Sequence, residues 1–514
     1  MAGVMLAHHA AKRRVARSHP RGAKPGKELV SRQARKNFAF SLSRWLVLAA
    51  LAVVGAPQLA SAQSAAPASA PGAAGGSSST GGGWLADRDS TQGPGFRVGD
   101  FVLHPGLGVE VGYDSNLYYA PDNAAPPLPG RLDTGVLRVT PSLTFGTVSG
   151  DRASGAGEGT SGGAPPTVTF QGGISAAYYE YFADSSRRNL GLDVGLRLNV
   201  LPQRPFGFSV YDTFSRQIRP FVQNINPGVG MGRDVNDAGL VLNFQTDGGV
   251  LQVNAGYDFG LGFYEDATFA YANTFTHTIT LQETYRFLPQ TALVQDNQVR
   301  YNDYFDGRTA TSPVLLQNSW QLRSRVGVNG AITNDVSFTA MIGYAAGFFD
   351  ATMPTTYVQD YDGVVAQASL AWQIVQGTRL TLGYDRNYNT AQIGNYNTTD
   401  RGFVAFGTVI GGVFYLNLSG DVGYVDYGII VPPAGSTTPV GADSHGNPSR
   451  EDIRVNAAIF AEYRFTDWLG INTTLRYTGD FTDYHYNVDV SGASLIDPAG
   501  YNKFEAYLGV RVFY

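Results

Sequence analysis

From about Phe101 to the last residue, the chain alternates apolar and polar side chains with a period of two. Leu190, Leu192, Val194, Leu196, Leu198 and Val200 interleave with Gly191, Asp193, Gly195, Arg197 and Asn199. Leu251, Val253, Ala255, Tyr257, Phe259, Leu261 and Phe263 interleave with Gln252, Asn254, Gly256, Asp258, Gly260 and Gly262. The closing stretch Tyr501–Tyr514 repeats the pattern, with Phe504, Ala506, Leu508, Val510, Val512 and Tyr514 on one register and Lys503, Glu505, Tyr507, Gly509 and Arg511 on the other. Successive side chains of a strand point to opposite faces, so each segment has one oily face and one wet face. The runs exceed the five or six residues usual in soluble sheets and match the roughly 9–11 that a tilted strand needs to cross a bilayer. No helical period of useful length interrupts them.

The connections alternate as well. Short ones fall at 201–205, 247–249, 288–291, 333–335, 376–377, 411–412 and 466–467. Longer ones lie near 220–234, 265–273, 306–314, 349–360, 390–400, 428–451 and 485–500. Short turns on one side and long loops on the other are the habit of outer-membrane barrels, the short side being periplasmic. The Gly-rich stretch 149–165 is the exception, long where a short turn is due. The segments predict an all-β, antiparallel, up-and-down transmembrane barrel of about 18 strands, or 16 if one segment has been split. An even number brings both ends of the barrel to the short-turn side. In hydrocarbon an open sheet edge would leave backbone groups unsatisfied at several kcal/mol each, so the first strand, near 103–119, must pair with the last. A plugged transporter barrel would need about 22 strands and a plug domain ahead of them; residues 63–100 are too few for one.

Composition fits this reading. Charged residues make up 15% of the chain, with 29 Tyr, 29 Phe and 63 Gly, yet mean hydropathy is only −0.12. That value leaves no room for many membrane helices and suits a two-residue period that averages oily and wet faces; a secreted β-solenoid is the rival. The absence of cysteine excludes disulfides, thiolate metal sites, cysteine nucleophiles and a lipidated cysteine anchor. Residues 1–44 carry eleven Lys/Arg against Glu28 alone, whereas residues 63–514 carry 26 bases against 41 acids, a net of −15. Such a balance speaks against nucleic-acid binding.

The apolar run 45–54 behind that basic leader, followed by Ala60-Ser61-Ala62, predicts a signal peptide over 1–62 with cleavage before Gln63, since its core is too short to span. Residues 63–95 read as an Ala/Ser/Gly/Pro periplasmic tether and 96–514 as the barrel. Aromatics at Tyr118-Tyr119, 178–182, Phe263-Tyr264, Phe348-Phe349, Tyr484 and Tyr486 read as interfacial girdles.

The motif GVEVGYDSNLYYAP (Gly108–Pro121) and the aromatic-ended LGVRVFY (Leu508–Tyr514), with the signal peptide and tether, resemble the β-barrel porin type 2 family of Gram-negative outer membranes. The resemblance implies an outer-membrane barrel, with Leu508, Val510, Val512 and Tyr514 as the signal read by the assembly machinery. It also admits a role beside polysaccharide-export components.

Assigning the polar face of each strand to the lumen gathers Arg138, Arg197, Arg286, Arg300, Arg323, Arg325, Arg379, Arg454, Arg464, Arg476, Lys503 and Arg511. Against them stand Asp193, Asp258, Asp296, Asp385, Asp421, Glu462 and Glu505. Fixed cations in a narrow aqueous path attract anions, while paired charges would only brace the wall. Arg323 and Arg325 make the sharpest cationic patch, and Glu283 falls out of place on the lipid register. Of the histidines, only His485 lies near a rim where a serine hydrolase could be built, and no GxSxG supports it. Asp350, Asp360, Asp362, Asp480 and Asp483 read as solvated loop acids rather than a Ca²⁺ site. No cofactor or metal site is predicted. The expected function is a porin-like, non-enzymatic channel for small hydrophilic solutes with a mildly anion-favouring lumen. The alternatives are an export barrel or a structural, adhesive barrel blocked by its own loops. The expected surroundings are outer-membrane lipid and lipopolysaccharide. Oligomeric state is left open.

Overall fold

The structure is a computed structural model that describes residues 95–514, apart from 123–129, 148–166, 203–204, 218–231, 266, 306–316, 351–359, 392–393, 429, 431–440 and 491–492. The signal peptide, nearly all of the tether and the 149–165 connection lie outside the described residues.

A short strand β1 (Phe96–Val98) doubles back on β2 (Phe101–Asp114). There follow β3 (Thr134–Thr147), β4 (Val168–Tyr181), β5 (Asn189–Val200), β6 (Phe206–Gln217) and β7 (Arg233–Gln245). Next come β8 (Leu251–Tyr264), β9 (Thr274–Leu288), β10 (Thr291–Asp303), β11 (Ser319–Ala331) and β12 (Val336–Phe349). The series continues with β13 (Tyr361–Val375), β14 (Thr378–Thr390), β15 (Tyr396–Ile410) and β16 (Phe414–Tyr427). After the two-residue β17 (Gly441–Ala442) come β18 (Glu451–Thr466), β19 (Leu469–Phe481), β20 (His485–Val490), β21 (Ala493–Pro498) and β22 (Tyr501–Phe513). Among the described residues, helical structure is limited to three short 3-10 turns, at 185–187, 247–249 and 267–272.

Each of β2–β16, β18 and β19 pairs antiparallel with the next, and β22 pairs with both β19 and β2. The sheet therefore closes as an 18-stranded barrel, the architecture of barrels that span membranes. Its seam joins Gly106 through Asp114 of β2 to Phe513 through Glu505 of β22. The first strand ends at Asp114, not at Tyr119: the Asx element that follows turns the chain out of the ladder, as described below. The 390–400 connection also shrinks to 391–395, because Tyr396-Asn397 already pair with Thr390-Asn389.

The two faces differ as the alternation dictates. Outward positions expose a continuous apolar surface, including Leu107, Val109, Val111, Leu240, Leu242, Ile342, Val364, Leu382, Val422, Ile459, Leu508 and Val510. Inward positions carry the buried polar groups: Glu110, Arg138, Thr140, Arg325, Gln367, Asp385, Asp452, Glu462, Asn472 and Glu505. This inversion, oily outside and polar inside, is the reverse of a soluble core and is what a barrel in lipid requires. Hairpins at the short-turn end are tight. Gln376-Gly377 alone joins β13 to β14, with Gly377 at φ +82°, a conformation costly for any residue with a Cβ.

The aromatic belts obey the same parity, which corrects part of the girdle expectation. Phe182, Phe263 and Phe348 point outward and are exposed. Their neighbours Tyr264 and Phe349 are buried, as is Tyr179, because adjacent strand residues face opposite sides; Tyr119, in the turn after β2, and Tyr484 and Tyr486, at the long-loop mouth, are buried as well. At the short-turn end Phe206, Phe287, Phe465 and Trp468 form the other exposed aromatic level.

Candidate functional site: the barrel lumen and its lid

The inner wall around the seam is braced by paired charges. Arg138 Nε lies 2.5 Å from Glu110 Oε2 and its guanidinium stacks 4.5 Å from the Tyr507 ring centroid, all fully buried. Lys503 Nζ meets Asp114 Oδ2 at 2.6 Å, and Arg476 approaches Glu505 at 4.0 Å. Glu462 holds both Arg464 (2.9 Å) and Arg511 (3.2 Å), with the Phe513 ring 4.3 Å and 5.1 Å from the two guanidiniums. Arg454 bridges Asp480 (3.2 Å) and Asp452 (3.0 Å). Arg138, Arg454, Arg464, Arg476 and Arg511 thus lie on the inner face, each within ion-pair distance of a carboxylate, with Arg464 and Arg511 sharing Glu462.

A second sector is different. Arg323 and Arg325 on β11 share one carboxylate, Asp296 on β10, which Arg323 Nη2 approaches at 3.4 Å and Arg325 Nε at 3.2 Å. Arg325 also donates to Gln367 at 3.3 Å. Among the described residues Arg300, on the same strand as Asp296, donates to the Thr278 hydroxyl alone, at 3.3 Å. Arg197 lies over the Tyr211 ring at 5.4 Å, and Arg379 is exposed near the short-turn mouth. Among the described residues no carboxylate lies within ion-pair distance of Arg197, Arg300 or Arg379. Within this sector β7 and β8 place Asp237 and Asp258 facing Arg300, the latter also accepting from the Tyr211 phenol, so that five guanidiniums stand against the four carboxylates Asp193, Asp237, Asp258 and Asp296.

Arg401 belongs to the inner wall and escaped the sequence reading. Its Nη2 lies 2.7 Å from Asp385 Oδ2. The Asp400-Arg401 pair reads as loop chemistry next to the polar run 387–400, and only the ladder of β15 against β14 shows it to be strand. Asp385 is therefore paired rather than free.

The Tyr-Asp-Ser-Asn element is a clasp across the seam. Asp114 takes Lys503, Ser115 exchanges hydrogen bonds with Phe504 (N to O 2.9 Å; Phe504 N to Ser115 Oγ 2.8 Å), and Asn116 Nδ2 donates to Asn502 O at 2.9 Å. The same Asn116 side chain folds its own loop, accepting from Ala120 N and donating to Ala120 O. Tyr119 packs edge-on against Tyr501 at 5.3 Å and lies 4.1 Å from Lys503 Nζ. Each residue type is used: carboxylate for the cation, hydroxyl for the strand end, and an amide that donates and accepts at once.

At the long-loop mouth, β17, β20 and β21 form a three-stranded sheet. Its anchor is the buried Arg450, which donates to Asp452 (2.8 Å) and Tyr486 (2.8 Å) and is ringed by Tyr427, Tyr484 and Tyr486 at 4.8, 5.6 and 5.9 Å. Burial alone would lower the Arg450 guanidinium; the phenols and the Asp452 carboxylate around it lift it well above its ordinary value. Tyr271, in the 3-10 turn between β8 and β9 on the opposite side of the barrel, is pushed up to about 12 by burial with the Tyr264 and Tyr486 phenols nearby. Tyr304, leaving β10, hydrogen-bonds Thr390 at the end of β14 and is likewise pushed up to about 12 by burial. Tyr271 and Tyr304, from two different connections, pack together against Tyr264 and Ala272, so tyrosines line the mouth beside the three-stranded sheet and together with it form a lid. His485 is part of β20, opposite Ala442 and Pro498. Asp362 accepts the Tyr344 phenol at 2.5 Å, Asp360 caps Phe349 N, and Asp483 accepts Ser444.

This architecture defines the class: a membrane-type β-barrel with a charged interior. No protein-family model matches the chain, and no curated protein matches it. Among solved structures it is similar to the outer membrane protein OpdK from Pseudomonas aeruginosa, at 9% identity over 80% of this chain and 99% of that one, with a TM-score of 0.39. It is similar also to the FrpB iron transporter from Neisseria meningitidis (8%, 80% and 81%, TM-score 0.39) and to OccK11 from Pseudomonas aeruginosa (10%, 80% and 96%, TM-score 0.37). These are likenesses of fold.

Proposed function

We propose that the protein is an outer-membrane, porin-like channel for small hydrophilic solutes, mildly anion-favouring, of the kind its motifs suggest: a member of the β-barrel porin type 2 family. The observation that carries this is the two-faced wall. An apolar exterior matches lipid, and a closed ring of 18 strands is wide enough to leave an aqueous path. The anion preference is drawn from Arg197, Arg300 and Arg379, which have no carboxylate within ion-pair distance among the described residues, and from Arg323 and Arg325, two guanidiniums on the one carboxylate of Asp296, rather than from one-to-one pairs such as Arg138 with Glu110. Leu508, Val510, Val512 and Tyr514, outward and exposed at the end of the closing strand, support a role in recognition by the assembly machinery. Lipid and lipopolysaccharide would surround the outer face.

The lid supports a second, narrower reading, in which loops close the mouth and the barrel serves as a structural or adhesive element. Single-channel recording on the wild type and on a lid-deleted variant (β20–β21 replaced by a short linker) separates the two. A pore gives discrete conductance in the wild type, larger without the lid; a blocked barrel conducts only once the lid is removed.

A further inference from the structure

On most strands the outward positions at mid-height are apolar, but three consecutive strands depart from this. Glu283 of β9 stands opposite Gln295 of β10, and Asn297 of β10 stands opposite Ser324 of β11. All four share the outward parity of Ile279, Tyr285, Leu293, Leu322 and Val326, each of them exposed. They sit at hydrocarbon depth: towards the long-loop end lie the Tyr301 and Trp320 rings, 4.7 Å apart, and towards the short-turn end lie exposed Tyr285 and Phe287. Ser324 Oγ donates to Asn297 Oδ1 at 2.6 Å. The Glu283 carboxylate, the Gln295 amide and the Asn297 NH₂ have no hydrogen-bond partner among the described residues. Asp212, also outward on β6, is by contrast satisfied by Asn236 Nδ2 at 2.6 Å.

Lipid tails offer these groups nothing, and polar groups left unpaired in hydrocarbon are costly. Whatever covers the patch must bring N–H donors for Glu283 and must both donate to and accept from the amides. An identical patch can do so: turned about a two-fold axis, the Gln295 and Asn297 amides of one copy would donate to Glu283 of the other, with the reverse contact by symmetry, as an isologous interface demands. Interhelical amide and carboxylate contacts hold membrane segments together on the same principle. We infer that the β9–β11 wall is the contact between two copies of this chain within the membrane. This rests on the barrel standing in a bilayer.

The chain has no cysteine, so single cysteines report contacts cleanly. Val299→Cys on the outer face of β10 and Val111→Cys on β2 would be reconstituted separately into phosphatidylcholine vesicles and oxidised. The contact predicts disulfide-linked dimer from Val299→Cys at roughly tenfold the yield from Val111→Cys. Adding Glu283→Leu, Gln295→Leu and Asn297→Val should bring it down to the Val111→Cys level. Equal yields from the two single variants on vesicle-bound, heat-modifiable barrel would overturn the contact, as would dimer that survives the three substitutions. If neither single variant associates with vesicles, it is the membrane reading that falls.

Discussion

Arg138 shows how much of the inner wall is structure rather than selectivity. Its charge faces Glu110 at 2.5 Å with both groups fully buried. Arg138→Ala would leave Glu110 uncompensated, and breaking such a pair costs about 3–5 kcal/mol. The urea midpoint of the vesicle-inserted barrel should fall accordingly, while Arg138→Met with Glu110→Leu should recover most of the loss. Arg323 and Arg325 make the opposite case, two guanidiniums on one carboxylate. Replacing both by Ala leaves Asp296 unmatched, so anion preference should drop or reverse, read as a shift in reversal potential under a salt gradient. Removing the one-to-one pair Arg401 and Asp385 together leaves the net charge of the wall unchanged and should shift it far less. The sequence made the inner-face parity of Arg138, Arg323 and Arg325 readable, because alternation fixes faces. It could not show which acid each one meets, because partners such as Asp296 and Arg325 come together only through the register of neighbouring strands.

At the scale of elements, the closing strand and the lid make separate predictions. Residues Val510 through Phe513 of β22 pair with Val109 through Gly106 of β2 and, up to Val512, with Ile471 through Leu469 of β19. Deleting Val510–Tyr514 opens the seam on both sides, and unpaired backbone in lipid costs several kcal/mol per group. Insertion should be abolished; recovery of a heat-modifiable barrel from the outer membrane would contradict this. The lid predicts a dependence on pH. Tyr271 and Tyr304 have folded values pushed up to about 12 from the ordinary 10.0. For such groups the stabilisation is complete below the unfolded value and is lost as pH rises through the folded one. The lid should therefore hold below about pH 10 and loosen between roughly pH 10 and 12, seen as a rise in conductance over that window that is missing once the lid is deleted. That strands exist near 485–498 could not be read from the sequence. Those segments are too short to cross a bilayer, and what orders them is Arg450 and tyrosines drawn from separate loops. The Tyr-Asp-Ser-Asn motif was visible as a motif, but its work as a clasp depends on Lys503 and Asn502, nearly four hundred residues away.

The whole molecule was the most legible part, for a physical reason. A barrel in lipid has one oily face on every strand, so the two-residue period survives over hundreds of residues and counts the strands directly. The apolar exterior, the polar interior and the alternation of short and long connections all follow from that one constraint. On the proposed function this closed barrel encloses a water path, and planar-bilayer recording on refolded protein should then show discrete, anion-biased conductance steps that grow when β20–β21 is removed. Silence from both the wild type and the lid-deleted barrel, with insertion verified by heat modifiability, would contradict it.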